Sequence, residues 1–159
     1  MGDNYLTVLA AIVLLAALIL NVNRTILLSS DSYYEAEAIV TAAAVGQQLM
    51  DEVSSKEFDE NTINNFIREI SGFTAADSLS PESGESYPFF DDVDDFNGFS
   101  RVDSTSRLGN FSSSVVVNYV DPLNPDVTQN SRTKMKKITI SVTSSYLVGA
   151  LQLHYYSSY

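Results

Sequence analysis

The chain has no cysteine. That absence excludes disulfide staples, thiolate metal sites, cysteine nucleophiles and covalent haem attachment. There is one histidine, His154. A multi-histidine metal site is therefore excluded, and a Ser-His-Asp arrangement would depend entirely on His154. Beside Tyr155 and Tyr156 it reads as an ordinary strand-face residue. Basic residues are scarce as well, with 9 Lys and Arg against 20 Asp and Glu and a formal net charge of −11. Such a surface repels phosphate, so nucleic acid is excluded as a partner. The only basic cluster, Lys134, Lys136 and Lys137, alternates with apolar residues and reads as the outer face of a strand.

What is present divides into two unlike parts, and the mean hydropathy of +0.01 averages them. Residues 5–20 read YLTVLAAIVLLAALIL, with no charge, Gly or Pro. As a helix this run is about 24 Å long, at about 1.5 Å per residue. Spanning a bilayer takes about 20 apolar residues, with a range of about 17–25. Asn21, Asn23 and Arg24 interrupt before Ile26-Leu27-Leu28 resumes, and Arg24 can snorkel to the interface. The run therefore reads as a short membrane helix. A cleaved signal peptide fits less well, because no Lys or Arg precedes the run and helix-favouring sequence continues past it.

Residues 33–53 read YYEAEAIVTAAAVGQQLMDEV. Ile39, Ala42, Gly46, Leu49 and Val53 recur at helical spacing and make one apolar stripe. One long helix is expected from about Asn4 to Val53. Its weak point is Ser29-Ser30-Asp31-Ser32, whose side chains compete for backbone hydrogen bonds.

From about residue 54 the composition shifts to Ser, Asp, Asn, Gly and Pro. Asn61 to Ile70 predicts a short helix with Ile63, Phe66, Ile67 and Ile70 on one side. Residues 71–89 read as a loop. Three strand-like runs follow, at Phe111–Val120, Lys136–Thr143 and Leu147–Tyr156. In the second, Ile138, Ile140 and Val142 face one way; in the third, Leu151, Leu153 and Tyr155 do. Asp121–Lys134 reads as a polar hairpin connection. The expected class is α+β: a long N-terminal helix over 1–53, with an apolar first half and an amphipathic second half, packed on a small antiparallel β head over 54–159.

This layout resembles a type IV pilin or a type II secretion pseudopilin. The similarity is sharper over residues 40–145. There Ala43-Val45-Gly46-Gln47-Gln48-Leu49-Met50-Asp51-Glu52-Val53 is followed by Lys56-Glu57-Phe58-Asp59-Glu60, then FDDVDDFNG at 90–98, GNFSSSVVVNYVD at 109–121 and KKITISVT at 136–143. That succession is similar to minor pilins of the MSHA type. The resemblance implies a structural subunit of an extracellular filament on a bacterial surface, anchored in the inner membrane before assembly. The implied partners are further copies of itself, the membrane and the assembly machinery, and the chain is not expected to be an enzyme. Residues 4–28 would form the membrane or filament-core segment, with Tyr5, Leu6, Val8, Leu9, Ile12, Leu15, Leu18 and Leu20 as its assembly surface. The N terminus departs from the pattern: position five is Tyr5 where pilins carry Glu, and no basic leader precedes it. Gly2 would be a vestigial cleavage point, or Met1 the first mature residue. Asp3 is the nearest carboxylate, either pairing with a neighbour's amine or sitting as a solvated acid at the helix start. The alternative functions are a minor pseudopilin acting as an adaptor in a secretion machine, and a membrane-anchored binding domain.

The stretch FDDVDDFNG places four carboxylates within five positions. Asp91, Asp92, Asp94, Asp95 and Asn97 offer oxygen ligands of the kind Ca²⁺ takes in sets of 6–8. The spacing is not that of an EF-hand. In the competing reading, Val93, Phe96 and Phe99 anchor the loop while the Asp side chains are solvated or cap turns. Calcium is thus the one cofactor the sequence admits. Asn110, in Asn110-Phe111-Ser112, is a candidate for glycosylation.

Overall fold

The structure, a computed structural model, describes residues 2–63 and 65–159, with only the backbone for Gly2 and Asp3. The side chain of Asp3, expected as a pairing acid, lies outside the described residues. Helix α1 runs from Gly2 to Ser54 without a break at Ser29–Ser32. The Ser32 hydroxyl donates to the Leu28 carbonyl at 3.0 Å, so it shares a helix acceptor and does not open a turn. Two compact units divide the chain, Met1–Glu37 and Ala38–Tyr159.

In the first unit every residue from 4 to 33 is exposed. Its most apolar 18-residue window has a mean hydropathy of 2.6, long and apolar enough to cross a membrane. Several polar side chains there turn back onto the helix. Asn21 Nδ2 donates to the Ala17 carbonyl at 3.1 Å, and Thr25 Oγ1 to that of Asn21 at 3.0 Å. In hydrocarbon such groups have no water to bond, so internal partners lower their cost.

The second unit contains the end of α1 and a five-stranded antiparallel sheet. The strands are β1 (Ser100–Thr105), β2 (Gly109–Asp121), β3 (Asn124–Thr128), β4 (Met135–Ser144) and β5 (Leu151–Ser158). The spatial order is β1-β2-β4-β5, with β3 pairing the end of β2. Period-2 alternation explains the central strands. Phe111, Val115, Val117 and Tyr119 of β2 and Ile138, Ile140 and Val142 of β4 point inward and are buried. Against them lies the helical stripe of Ala38, Ala42, Gly46, Leu49 and Val53, all buried. Ile39, expected in that stripe, is 45% exposed, and Ala38 takes its place. A Cβ on Gly46 would lie 2.6 Å from Leu153 Cδ1 and 3.3 Å from Val142 Cγ2, so glycine lets helix and sheet approach closely here.

Three expectations change. Among the described residues of 61–70 there is no α-helix. Two 3₁₀ turns, Glu60–Thr62 and Ile70–Gly72, stand in its place, and Phe66 is 85% exposed. Asp59 closes the first turn by accepting from Asn61 N, and Ile67 N is drawn to the Tyr159 hydroxyl at 2.7 Å. Strands β1 and β3 were not expected. Both are largely polar edge strands, so no apolar alternation marks them. Finally, Lys136 is not on an outer face: it is fully buried, on the same side of β4 as Ile138 and Ile140.

Candidate functional site

Lys136 is the hub of a buried ionic cluster. Its Nζ donates to Asp94 Oδ2 at 2.8 Å, to Asp59 Oδ2 at 3.1 Å and to the Phe58 carbonyl at 2.7 Å. The rings of Phe58 and Tyr119 flank the ammonium at 4.3 and 5.1 Å from their centroids. Such rings attract a cation through their quadrupoles. Burial pushes the Asp59 carboxyl up, but Lys136 and the N–H groups of Thr74 and Asn61 outweigh it and hold it below its usual range. Asp94 is pushed up by burial to about 6, against the pull of Lys136. Asp59 is thus the firmly ionised partner, and Asp94 takes up a proton first on acidification.

The acidic stretch folds onto this hub. Phe90, Val93 and Phe96 are buried, and the Phe90 and Phe96 rings meet edge to face at 5.0 Å. Glu57 straps the loop from outside, donating to the Asp91 carbonyl and accepting from Val93 N at 3.0 Å. Asp91 is exposed, whereas Asp92, Asp94 and Asp95 turn inward; Asp92 and Asp95 cap backbone N–H groups, as one of the two expected arrangements has it, and are not solvated. Asp92 Oδ1 accepts from Asp94 N at 2.6 Å and Asp95 N at 3.2 Å. Asp95 Oδ2 accepts from Asp91 N at 3.0 Å and Asp92 N at 3.3 Å. Asn97 pins the loop to the sheet, with Oδ1 accepting from Val117 N at 3.0 Å and Nδ2 donating to the Leu79 carbonyl at 2.8 Å.

Asp92 is fully buried, and its Oδ2 has no hydrogen-bond partner. Burial, reinforced by Asp94 and Asp95, pushes its carboxyl up to about 8. A carboxyl raised on folding binds protons that the unfolded chain releases. Its stabilising effect is complete below the ordinary carboxylate range and is lost as pH rises towards 8. In chelator, the unfolding midpoint should therefore fall by roughly 5 °C between pH 5 and pH 8. Asp92→Asn should flatten that slope. Calorimetric midpoints at four pH values check this, and a slope unchanged in the variant would assign it to another group.

The five residues expected as ligands do not converge on one point. Asp91 is exposed, Asp92 and Asp95 serve backbone N–H groups, Asp94 serves Lys136, and both ends of the Asn97 amide are occupied. Of these five, only Asp91 and Asp95 enter groups of converging carboxylates, and their companions are Glu60, Glu82 and Glu85. Sequence reasoning missed those three, because they come from distant segments that only the fold brings together. Burial, with the nearby Glu85, pushes the Glu82 carboxyl up to about 7. Burial and the negative charges of Asp91 and Glu85 also raise Glu60. Elsewhere, Asn110 is exposed near the start of β2. His154 is exposed on β5, with Nδ1 3.2 Å from the Thr139 hydroxyl.

No family model, curated protein or solved structure matches the chain.

Proposed function

We propose that this chain is the structural subunit of an extracellular, type IV pilus-like filament that polymerises through α1. One observation carries the reading: residues 4–33 form a helix exposed on every side, with a mean hydropathy of 2.6 in its most apolar window. Such a surface needs an apolar surrounding. Before assembly a bilayer supplies it. In a filament the same segments of other copies supply it, and each Å² of apolar area kept from water contributes about 25 cal/mol. Ala10, Ala11, Ala16 and Ala17 leave room for close helix approach. A head-to-tail contact between such helices does not close, and an open contact generates a filament. The acidic heads, in a chain of net charge −11, keep neighbouring filaments apart. The order of motifs along residues 40–145, similar to that of minor pilins, supports the same reading.

Electron microscopy of surface material sheared from cells producing the chain tests it. Regular filaments made of this chain are the expected result. Recovery of the chain solely as a membrane-bound monomer would overturn the proposal.

A further inference from the structure

The ion pair at the hub has the geometry of two groups that can condense. Nζ of Lys136 lies 2.7 Å from Oδ1 of Asp94 and 2.8 Å from Oδ2. An atom that close to both oxygens stands about 3 Å from the carbon between them, in line with the range of about 3–3.5 Å for atoms in a near-attack arrangement. Oδ2 accepts a hydrogen bond, whereas Oδ1, although nearer, is not aligned for one and has no other partner. A lysine ammonium has three N–H donors. The Phe58 carbonyl holds one at 2.7 Å and Asp59 Oδ2 a second at 3.1 Å, so the third is the one directed at Asp94.

The fold fixes both partners and keeps them dry. Lys136 lies in β4 between Tyr119 of β2 and Ser157 of β5. Asp94 opens the 3₁₀ turn Asp94–Phe96, with its N–H on Asp92 Oδ1 at 2.6 Å. The side chains of Lys136 and Asp59 are fully shielded from water, and so in effect is that of Asp94. The Phe58 and Tyr119 rings flank the ammonium. Opposite charges enclosed in this way have lost their hydration, and a neutral product removes that cost. The same enclosure excludes the water that would hydrolyse such a product.

We propose that Lys136 and Asp94 condense into an intramolecular amide that cross-links β4 to the acidic stretch, with Asp59 as the proton carrier. One proton passes from Nζ to Asp94, which leaves a neutral amine and a carboxylic acid. The lone pair so exposed attacks Asp94 Cγ; the C–N bond forms and the π electrons of the carbonyl move onto its oxygen. Asp59 takes the nitrogen proton that faces it and delivers it to the departing hydroxyl. The C–OH bond breaks, the carbonyl re-forms and one water leaves. The N–H that remains keeps its bond to the Phe58 carbonyl, and Asp59 ends ionised as it began. No oxidant, reductant or co-reactant enters. Asp94, pushed up by burial to about 6, reaches its acid form readily. Asp59, held below its usual range, stays available as the base. The bond joins residues 42 positions apart in a chain that has no cysteine for a disulfide. The inference rests on the hub alone and stands apart from the filament reading.

The intact mass of the full chain, purified in detergent and denatured before measurement, tests this. It should fall below the sequence mass by one water. Protease digestion should release a branched peptide that joins the segment around Asp94 to the segment around Lys136. Asp94→Ala and Lys136→Met should each restore the full mass. In Asp59→Asn, sampled from synthesis onward, the link should form more slowly than in wild type by a factor of about 100 or more, the usual share of a positioned proton-transfer group. The wild-type readout holds even if a variant fails to fold. A wild-type chain of full mass would mean that the hub stays an ion pair and would overturn the proposal. Water loss confined to linear peptides would overturn it too, because an aspartate that cyclises onto its own backbone loses the same mass. A branch at Asp59 in place of Asp94 would overturn the roles assigned to the two carboxyls.

Discussion

Replacing Lys136 by Met should lower the stability of the head by about 3–5 kcal/mol, the cost of stranding buried charge after one ionic partner is removed. In a unit of this size that is a fall of more than about 10 °C in the unfolding midpoint. Lys136 and Asp59 are fully buried, and Asp94 is buried with them. The ammonium also satisfies the Phe58 carbonyl. The substitution therefore removes bonds from both carboxylates and from one peptide oxygen. Lys136→Arg should not rescue, because a planar fork cannot replace a point charge seated between the Phe58 and Tyr119 rings. Adding Asp59→Asn and Asp94→Asn to Lys136→Met should recover part of the loss, since the stranded charges are then gone. Thermal unfolding of the four proteins checks this. A loss under about 1 kcal/mol for Lys136→Met would mean that the cluster is hydrated and not a buried hub.

The second large effect concerns α1. Leu15→Arg places a charge in the middle of the run at 5–20, where an arginine at the bilayer centre costs about 2.5–3.5 kcal/mol and the leucine it replaces contributed about 0.5 kcal/mol. The partition into the membrane should fall by a factor of about 100 or more. Leu15→Ile keeps the apolar surface and should change nothing measurable. Under the filament proposal Leu15→Arg should also abolish assembly, because the helix bundle offers no water to the guanidinium. Fractionation of cells and counting of filaments give the two readouts. A Leu15→Arg chain that still sediments with membranes and still forms filaments at the wild-type yield would sink the role assigned to this helix.

Both effects concern features that were unequally legible in the sequence. The long helix was legible because an uncharged run and an alanine-rich amphipathic stretch follow each other with no Pro between them. The central strands were legible because Val115, Val117, Ile138, Ile140 and Val142 alternate with polar residues. The edge strands β1 and β3 carry little apolar signal: Val102 is 61% exposed and Val127 is 45% exposed. Backbone pairing with β2 defines them, and that pairing leaves no mark in composition. The false helix at 61–70 came from apolar spacing that tertiary bonds overrode, as the Ile67 N bond to Tyr159 shows.

The hub was readable in one respect. Lys136 has the same parity as Ile138, Ile140 and Val142, so period 2 alone places it on the inner face. The habit of assigning lysine to solvent concealed this. A buried lysine demands carboxylate partners, and the acidic stretch was the nearest rich source of them. Asp59 could not have been singled out in the same way, nor could Glu60, Glu82 and Glu85. Their convergence is a property of how three loops cross, and no local spacing encodes it.

The Asn97-Gly98 pair has a consequence for the lifetime of the molecule. Asn-Gly is the dipeptide most prone to chemical ageing, since the glycine nitrogen attacks the asparagine side-chain carbonyl and expels ammonia. Here that nitrogen donates to the Val115 carbonyl at 3.1 Å, and the amide it would attack is held by Val117 N and the Leu79 carbonyl. Ring closure therefore requires the loop to leave the sheet. The rate of deamidation at Asn97 is in effect a clock for the opening of this loop from the sheet.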